Sequence, residues 1–173
     1  EMAQVEEGVA SIASQLGGID ILINNAGVGD FGSFEDMPVE TWEKVMKVNL
    51  FGVYYVAKAV LPYLKQNKEG DIVNVASTAG LKGAPNMSAY CASKAAVISL
   101  SQSLMAELRK FNIRVITLTP STIATDMSIE GKLTDGNPEK VLQPEDFAEW
   151  VRDILKMNRR AMIANASIFS TNP

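Results

Sequence analysis

Histidine is absent from the 173 residues, and cysteine occurs once, as Cys91. The first absence excludes Ser-His-Asp and Cys-His catalysis and any His-ligated metal. The second excludes an internal disulfide and a thiolate metal cluster. No metal site is expected, and Cys91 reads as a small buried residue. No apolar run reaches the length of a transmembrane span and no signal peptide is visible, so a cytoplasmic protein is expected. Sixteen Lys and Arg against twenty Asp and Glu leave a net charge of −4. That balance gives no electrostatic reason to expect nucleic acid or an anionic membrane as partner. Proton chemistry near neutral pH must then come from Tyr, Lys or carboxylates in tuned environments.

What is present describes a globule. Hydrophobic residues make up 47% and charged residues 21% of the chain, enough for one domain over 1–173 with a sizeable core. Val5, Val9, Ile12 and Leu16 repeat at helix spacing up to a stop at Gly17-Gly18. The chain opens on Glu1 inside this pattern, which leads us to expect that an N-terminal part precedes it. Ile19–Ile23 is a short, nearly continuous apolar strand, of the kind buried on both faces of a parallel sheet. Asn24–Gly32 is a loop. Pro38, with Glu40 and Glu43, opens a helical stretch to about Asn67, with a break near Asn49 and a kink expected at Pro62. Asp71–Ala76 is a second buried strand and 78–87 a loop. A helix capped by Ser88 runs to Phe111. Ile113–Thr119 is a third strand, 120–143 a long polar loop, Pro144 to about Asn158 a helix, and Ala161–Ala166 a last strand. Alternating helices and strands predict an α/β fold, a parallel sheet with helices on both faces. Ligands in such folds bind beyond the carboxyl ends of the strands. Asn24–Gly27, Ser77 and Pro120–Thr125 all fall there.

The stretch Ser77–Lys94 carries the chemistry. Tyr90 and Lys94 are four apart on a helix and share a face. An ammonium at ~6 Å in an effective dielectric of ~20 favours the phenolate by roughly 2–3 kcal/mol, or about two pKa units. Tyr90 would then approach the range where proton transfer is efficient. Ser77, at the end of a strand, could donate a hydrogen bond to the same substrate oxygen. Gly27–Gly32 matches Gly-x-Gly-x-x-Gly, but we decline it as a dinucleotide fingerprint. Five residues, including Glu35 and Asp36, separate it from the next helix, so no helix N-terminus faces a phosphate.

With AsnAsnAlaGly at 24–27, Asn49, Ser77, Tyr90-x-x-x-Lys94 and ThrProSerThrIleAlaThrAspMet at 119–127, the sequence resembles the classical short-chain dehydrogenase/reductase family over nearly its whole length. The resemblance implies a Rossmann-type doubly wound parallel sheet, with the first strands missing and about the C-terminal two-thirds of the domain present. It implies hydride transfer with a nicotinamide cofactor, NADP(H) ahead of NAD(H), the choice left open. It assigns Asn49, Ser77, Tyr90 and Lys94 as catalytic. Ser77 would hold the carbonyl oxygen, Tyr90 would exchange its proton, Lys94 would bond the cofactor ribose, and Asn49 would hold a water linking Lys94 to solvent. Asn25, Ala26 and Gly27 would flank the adenosine ribose. Pro120 lies in the segment that contacts the nicotinamide, and Ile123 and Thr125 would meet its carboxamide and phosphate side. The family's usual Gly after Pro120 is Ser121 here, which puts the turn geometry in question.

The likeness is greatest to 3-ketoacyl-carrier-protein reductases and carbonyl reductases, so a small carbonyl or acyl thioester is the expected substrate. Lys68, Arg109 and Lys110 lie in the regions that would meet an acyl carrier protein. Phe31, Met87, Met127 and Trp150 could line an apolar pocket. Tyr54, Tyr55, Leu104 and Leu108 exceed what one sheet face needs, and family members pair these helices, implying a homodimer or homotetramer. The alternatives are an epimerase or dehydratase of the extended branch, and a dinucleotide sensor without turnover.

Overall fold

The computed structural model describes residues 1–171. Four strands, β1 (Ile21–Asn24), β2 (Gly70–Val75), β3 (Ile113–Pro120) and β4 (Asn165–Ile168), form one parallel sheet in the order β1-β2-β3-β4. Helices α1 (Met2–Leu16), α2 (Val39–Met46), α3 (Gly52–Asn67), α4 (Ser88–Leu108), α5 (Asp126–Glu130) and α6 (Pro144–Lys156) surround it. Among the described residues no helix is long and apolar enough to cross a membrane.

Every residue of β2 and β3 is buried, because each face has its own cover. On one face Ile72, Ile113 and Val115 pack with Val60 and Leu64 of α3, Leu108 of α4 and Val9 of α1. On the other, Val73, Ile116 and Leu118 pack with Val151 and Ile154 of α6. The strands advance in one direction across the sheet, so the connection through α6 winds with the opposite hand to those through α3 and α4. To reach that face, the chain from Ser121 to Gln143 passes over the carboxyl ends of the strands.

A polar chain crosses the interior. Asn24 Nδ2 donates to Asn74 Oδ1 at 2.8 Å, and Asn74 Nδ2 donates to Ser101 Oγ at 2.8 Å, tying β1, β2 and α4. At the opposite end of the sheet Arg114 forks onto Asp71, its register partner, at 2.6 and 2.9 Å. It also donates to the carbonyls of Leu155 and Met157, holding the end of α6.

Several expectations are corrected. The first strand is Ile21–Asn24 rather than Ile19–Ile23, and it is not buried on both faces. It is the sheet edge, and Ile21 and Ile23 are each 46% exposed, because α6 covers only the other end of that face. Ser88 is not the cap of α4. Met87 holds that position, and the Ser88 hydroxyl is buried without a partner among the described residues. The 120–143 segment contains α5, capped reciprocally by Thr125 and Ser128. The last strand is Asn165–Ile168 rather than Ala161–Ala166, since Met162 and Ile163 pack on the α6 core instead of joining the ladder. Leu108 belongs to the core, not to a spare surface. Pro62 lies inside α3, and the expected break near Asn49 is there, as a single π turn over Lys47–Phe51.

Candidate active site

A cleft of about 670 Å³ opens at the carboxyl ends of β1, β2 and β3. Asn25 and Gly27 follow β1, Ser77 follows β2, Pro120 ends β3, and Ile123 and Thr125 follow it; all six line the cleft, with Tyr90 and Lys94 of α4 beside them. Ala26 and Asn49 do not. Phe31, Met87 and Met127 line it as well, but Trp150 does not: it packs edge-on against Phe147 in the α6 core, 5.9 Å between centroids.

Ser77 sits in extended backbone, and its Oγ accepts from Ala79 N at 3.1 Å, which starts a 3₁₀ turn over Thr78–Gly80. Gly80 lies against the backbone of α4; a Cβ there would meet the Lys94 carbonyl carbon at 2.7 Å. This close approach fixes the Ser77 loop to the helix that carries Tyr90 and Lys94. Phe31 meets the Tyr90 ring edge-on, 5.8 Å between centroids, a favourable aromatic geometry.

Asn49 is 1% exposed. Its Oδ1 accepts from Val28 N at 2.8 Å, and its Nδ2 donates to Val28 O at 2.9 Å and Ser93 Oγ at 3.0 Å. The side chain is thus occupied with protein groups and pins the loop after β1 to α4. The π turn around it alters the helical ladder, as such bulges do at functional sites. A Cβ at Gly27 would stand 3.3 Å from Asn49 Oδ1 and 3.5 Å from Lys94 Nζ, so a small residue is needed for this contact.

The electrostatics correct one expectation. Burial pushes the Tyr90 hydroxyl above its ordinary value; a hydrogen bond with Ser77 lowers it in part, and Cys91 adds a further rise. Lys94 is not what sets it. Lys94 is itself 5% exposed, and its ammonium lies 5.7 Å from the Tyr90 ring centroid and donates to Val75 O at 2.8 Å. Burial lowers its pKa to about 8. Removing both groups from water disfavours both charged forms, and the expected drop of two units at Tyr90 is absent. Ser121 has no positive φ, and its N–H donates to Ile168 O at 2.9 Å, so the residue in the usual Gly position carries no backbone strain.

The sequence reading did not find Asn74, Ser93, Ser101 or Lys82. The first three are polar positions inside apolar elements, a signal that a buried hydrogen-bond network was needed. Lys82 lines the cleft on the 78–87 loop.

Fold and site together define a doubly wound parallel-sheet protein with a Tyr–Lys helix at its ligand cleft. The short chain dehydrogenase family model matches residues 1–135, and the chain belongs to that family of oxidoreductases. A Xanthobacter autotrophicus protein named as an inactive 2-(S)-hydroxypropyl-CoM dehydrogenase is 36% identical over 98% of this chain and 79% of its own length. A Thermotoga maritima 3-oxoacyl-acyl-carrier-protein reductase is 39% identical over 79% of this chain and 53% of its own length. An alcohol dehydrogenase from Thermococcus sibiricus, complexed with 5-hydroxy-NADP, superposes with a TM-score of 0.89 at 26% identity, over 100% of this chain and 72% of its own. A xylitol dehydrogenase with bound NAD+ does so with a TM-score of 0.89 at 28% identity, over 98% of this chain and 75% of its own. This chain therefore spans between 53% and 79% of the length of those two curated relatives.

Proposed function

We propose that the protein is an NAD(P)(H)-dependent reductase that converts a ketone or 3-ketoacyl group to a secondary alcohol. The observation that carries this is the meeting of Ser77, Tyr90 and Lys94 on one cleft. The cofactor, when bound, supplies the hydride.

The residues fit such a group. An ammonium has three N–H donors, and among the described residues Lys94 makes one hydrogen bond, to Val75 O, leaving two for ribose hydroxyls. Asn25, Ala26 and Gly27 would bound the adenosine ribose, and Pro120, Ile123 and Thr125 the nicotinamide side. Ser77 orients the substrate carbonyl oxygen. Tyr90, held protonated at neutral pH by its burial, donates the proton to that oxygen. Lys94 positions the ribose beside it, and Asn49, its side chain taken up by Val28 and Ser93, holds the loop after β1 against α4. The likeness to one structure complexed with 5-hydroxy-NADP and to one with bound NAD+ leaves NADP(H) and NAD(H) both as cofactors to test, NADP(H) first.

Lys68, Arg109 and Lys110 stand near the starts of β2 and β3, across the sheet from the cleft, so carrier-protein docking beside the cleft would not use them within one chain. Phe51 and Tyr54 are 44% and 42% exposed and cluster with Tyr55; we assign this surface to a homodimer or homotetramer, to be read by sedimentation. One observation favours a second reading, a dinucleotide-binding protein without turnover: the 36% identical relative named inactive. The deciding experiment is NADPH and NADH oxidation by the full-length protein with a β-ketoacyl thioester and a simple diketone, beside Tyr90→Phe. Turnover that Tyr90→Phe abolishes while cofactor still binds supports the reductase. Binding without turnover on any carbonyl supports the second reading.

A further inference from the structure

The cleft carries charge of one sign. Among the described residues Lys82 and Lys94 line it and no Asp or Glu does, in a chain where acids outnumber bases twenty to sixteen. Asp126 and Glu130 bracket two lining residues of α5, Met127 and Ser128, without lining the cleft themselves. The two ammonium groups differ. Lys94 is buried and bonded to Val75 O. Lys82 is exposed, has no side-chain hydrogen bond or ion pair among the described residues, and stands on the loop between Ser77 and Tyr90.

We propose that Lys82 is a specificity-determining residue that pairs with an anionic group of the substrate, so that the ketone is an oxo acid or an acyl compound bearing a carboxylate, sulfonate or phosphate. The inference rests on the ketone-reductase reading of the same cleft. An unpaired ammonium at a cleft free of carboxylates raises the local concentration of anions there. Phe31 and Met87 provide apolar wall for the carbons between that anion and the carbonyl. A cofactor phosphate offers the same chemistry, but Lys82 shares its loop with Ser77 and Met87, whereas the stretches assigned to the cofactor follow β1 and β3. The substrate is therefore the source to which the geometry points.

The test compares acetoacetate and 4-oxopentanoate with their methyl esters in the full-length protein, with Lys82→Met and Lys82→Arg. In Lys82→Met the KM for the preferred oxo acid should rise about fivefold, the scale of a part-exposed ion pair. The ester KM, the cofactor KM and kcat should stay level, Lys82→Arg should restore the acid KM, and added salt should shrink the difference. An equal rise for acid and ester, or a rise in the cofactor KM alone, overturns the proposal; the latter assigns Lys82 to the cofactor phosphate. If no carbonyl turns over, calorimetry with butanoate and butanamide on the cofactor-loaded protein still decides. Carboxylate-selective binding weakened by Lys82→Met upholds the anion site while the reductase reading falls, and its absence overturns both.

Discussion

Lys94 Nζ donates to the Val75 carbonyl at 2.8 Å, so the ammonium that accompanies Tyr90 is anchored to the end of β2. That anchor explains how a cation stays at 5% exposure, and its cost appears in the pKa, lowered by burial to about 8 from the ordinary 10.5. Below pH 8 both folded and unfolded chains carry the proton. Between about 8 and 10.5 the unfolded chain binds more protons, so stability must rise with pH. Urea unfolding of the wild type and Lys94→Met should show their difference moving in favour of the wild type by roughly 3 kcal/mol across that window. A difference that stays flat would mean that Lys94 titrates normally.

Asn49 joins three protein groups, and removing it leaves Val28 N–H, Val28 C=O and Ser93 Oγ each short of a partner. Unmade buried hydrogen bonds cost about 1–3 kcal/mol apiece. Asn49→Ala should therefore lower stability by about 2–4 kcal/mol and reduce turnover, because the loop carrying Gly27 loses its tie to α4. Ser93→Ala, which removes one of the three, should cost roughly 1 kcal/mol in the same urea titration. Equal midpoints for Asn49→Ala and wild type would show that the π turn holds the loop without it.

How far the sequence carried is visible at these positions. The alternation of periods located β2, β3, α4 and α6 and brought Ser77, Tyr90 and Lys94 to one end of the sheet, because buried strands and amphipathic helices leave a regular trace. Weaker traces misled. Ile21 and Ile23 read as doubly buried because an apolar run does not record which neighbours cover it. Ser88 read as a cap because cap preference is local, whereas Met87 takes that position and Ser88 lies inside the helix. Trp150 read as pocket wall because a large apolar side chain on a helix gives no direction by itself. The Tyr90 pKa was missed for a physical reason: the pair was weighed by its Coulomb attraction, while burial of both partners is the larger effect. The Asp71–Arg114 pair, 43 residues apart, left no local signal at all.

That pair carries the third prediction. Asp71 takes both Arg114 and Arg159 at 2.6 to 3.2 Å, with Asp71 and Arg114 each nearly inaccessible. Removing one partner leaves an uncompensated buried charge, which costs about 3–5 kcal/mol. Asp71→Asn should lower the thermal midpoint strongly while leaving kcat of the surviving folded fraction unchanged, since the pair lies at the end of the sheet away from the cleft. Arg159→Gln, whose side chain is part-exposed, should cost less, because Arg114 still neutralises Asp71. A larger loss for Arg159→Gln than for Asp71→Asn would reverse this order.

Gly80 carries the last. An added Cβ would meet Lys94 carbonyl carbon at 2.7 Å, Ala95 N at 2.8 Å and Lys94 O at 2.9 Å, all backbone of α4. None is the flexible end of a side chain, so the loop must move away from the helix. Ser77 starts the turn in which Gly80 lies, and it would move relative to Tyr90. Misplacement by about 1 Å costs on the order of 10²-fold in rate. Gly80→Ala should therefore lower kcat by roughly that factor, with a stability loss of about 1–3 kcal/mol from overpacking. Gly32→Ala is the matched control: its Cβ meets nothing within 4 Å, and both kcat and the urea midpoint should stay at wild-type values. The decisive reading is the KM-against-kcat split. A variant that folds and binds cofactor normally, but turns over slowly, locates the defect in the alignment of Ser77 with Tyr90. A Gly80→Ala protein with wild-type kcat would show that the loop can lift off α4 without disturbing that alignment.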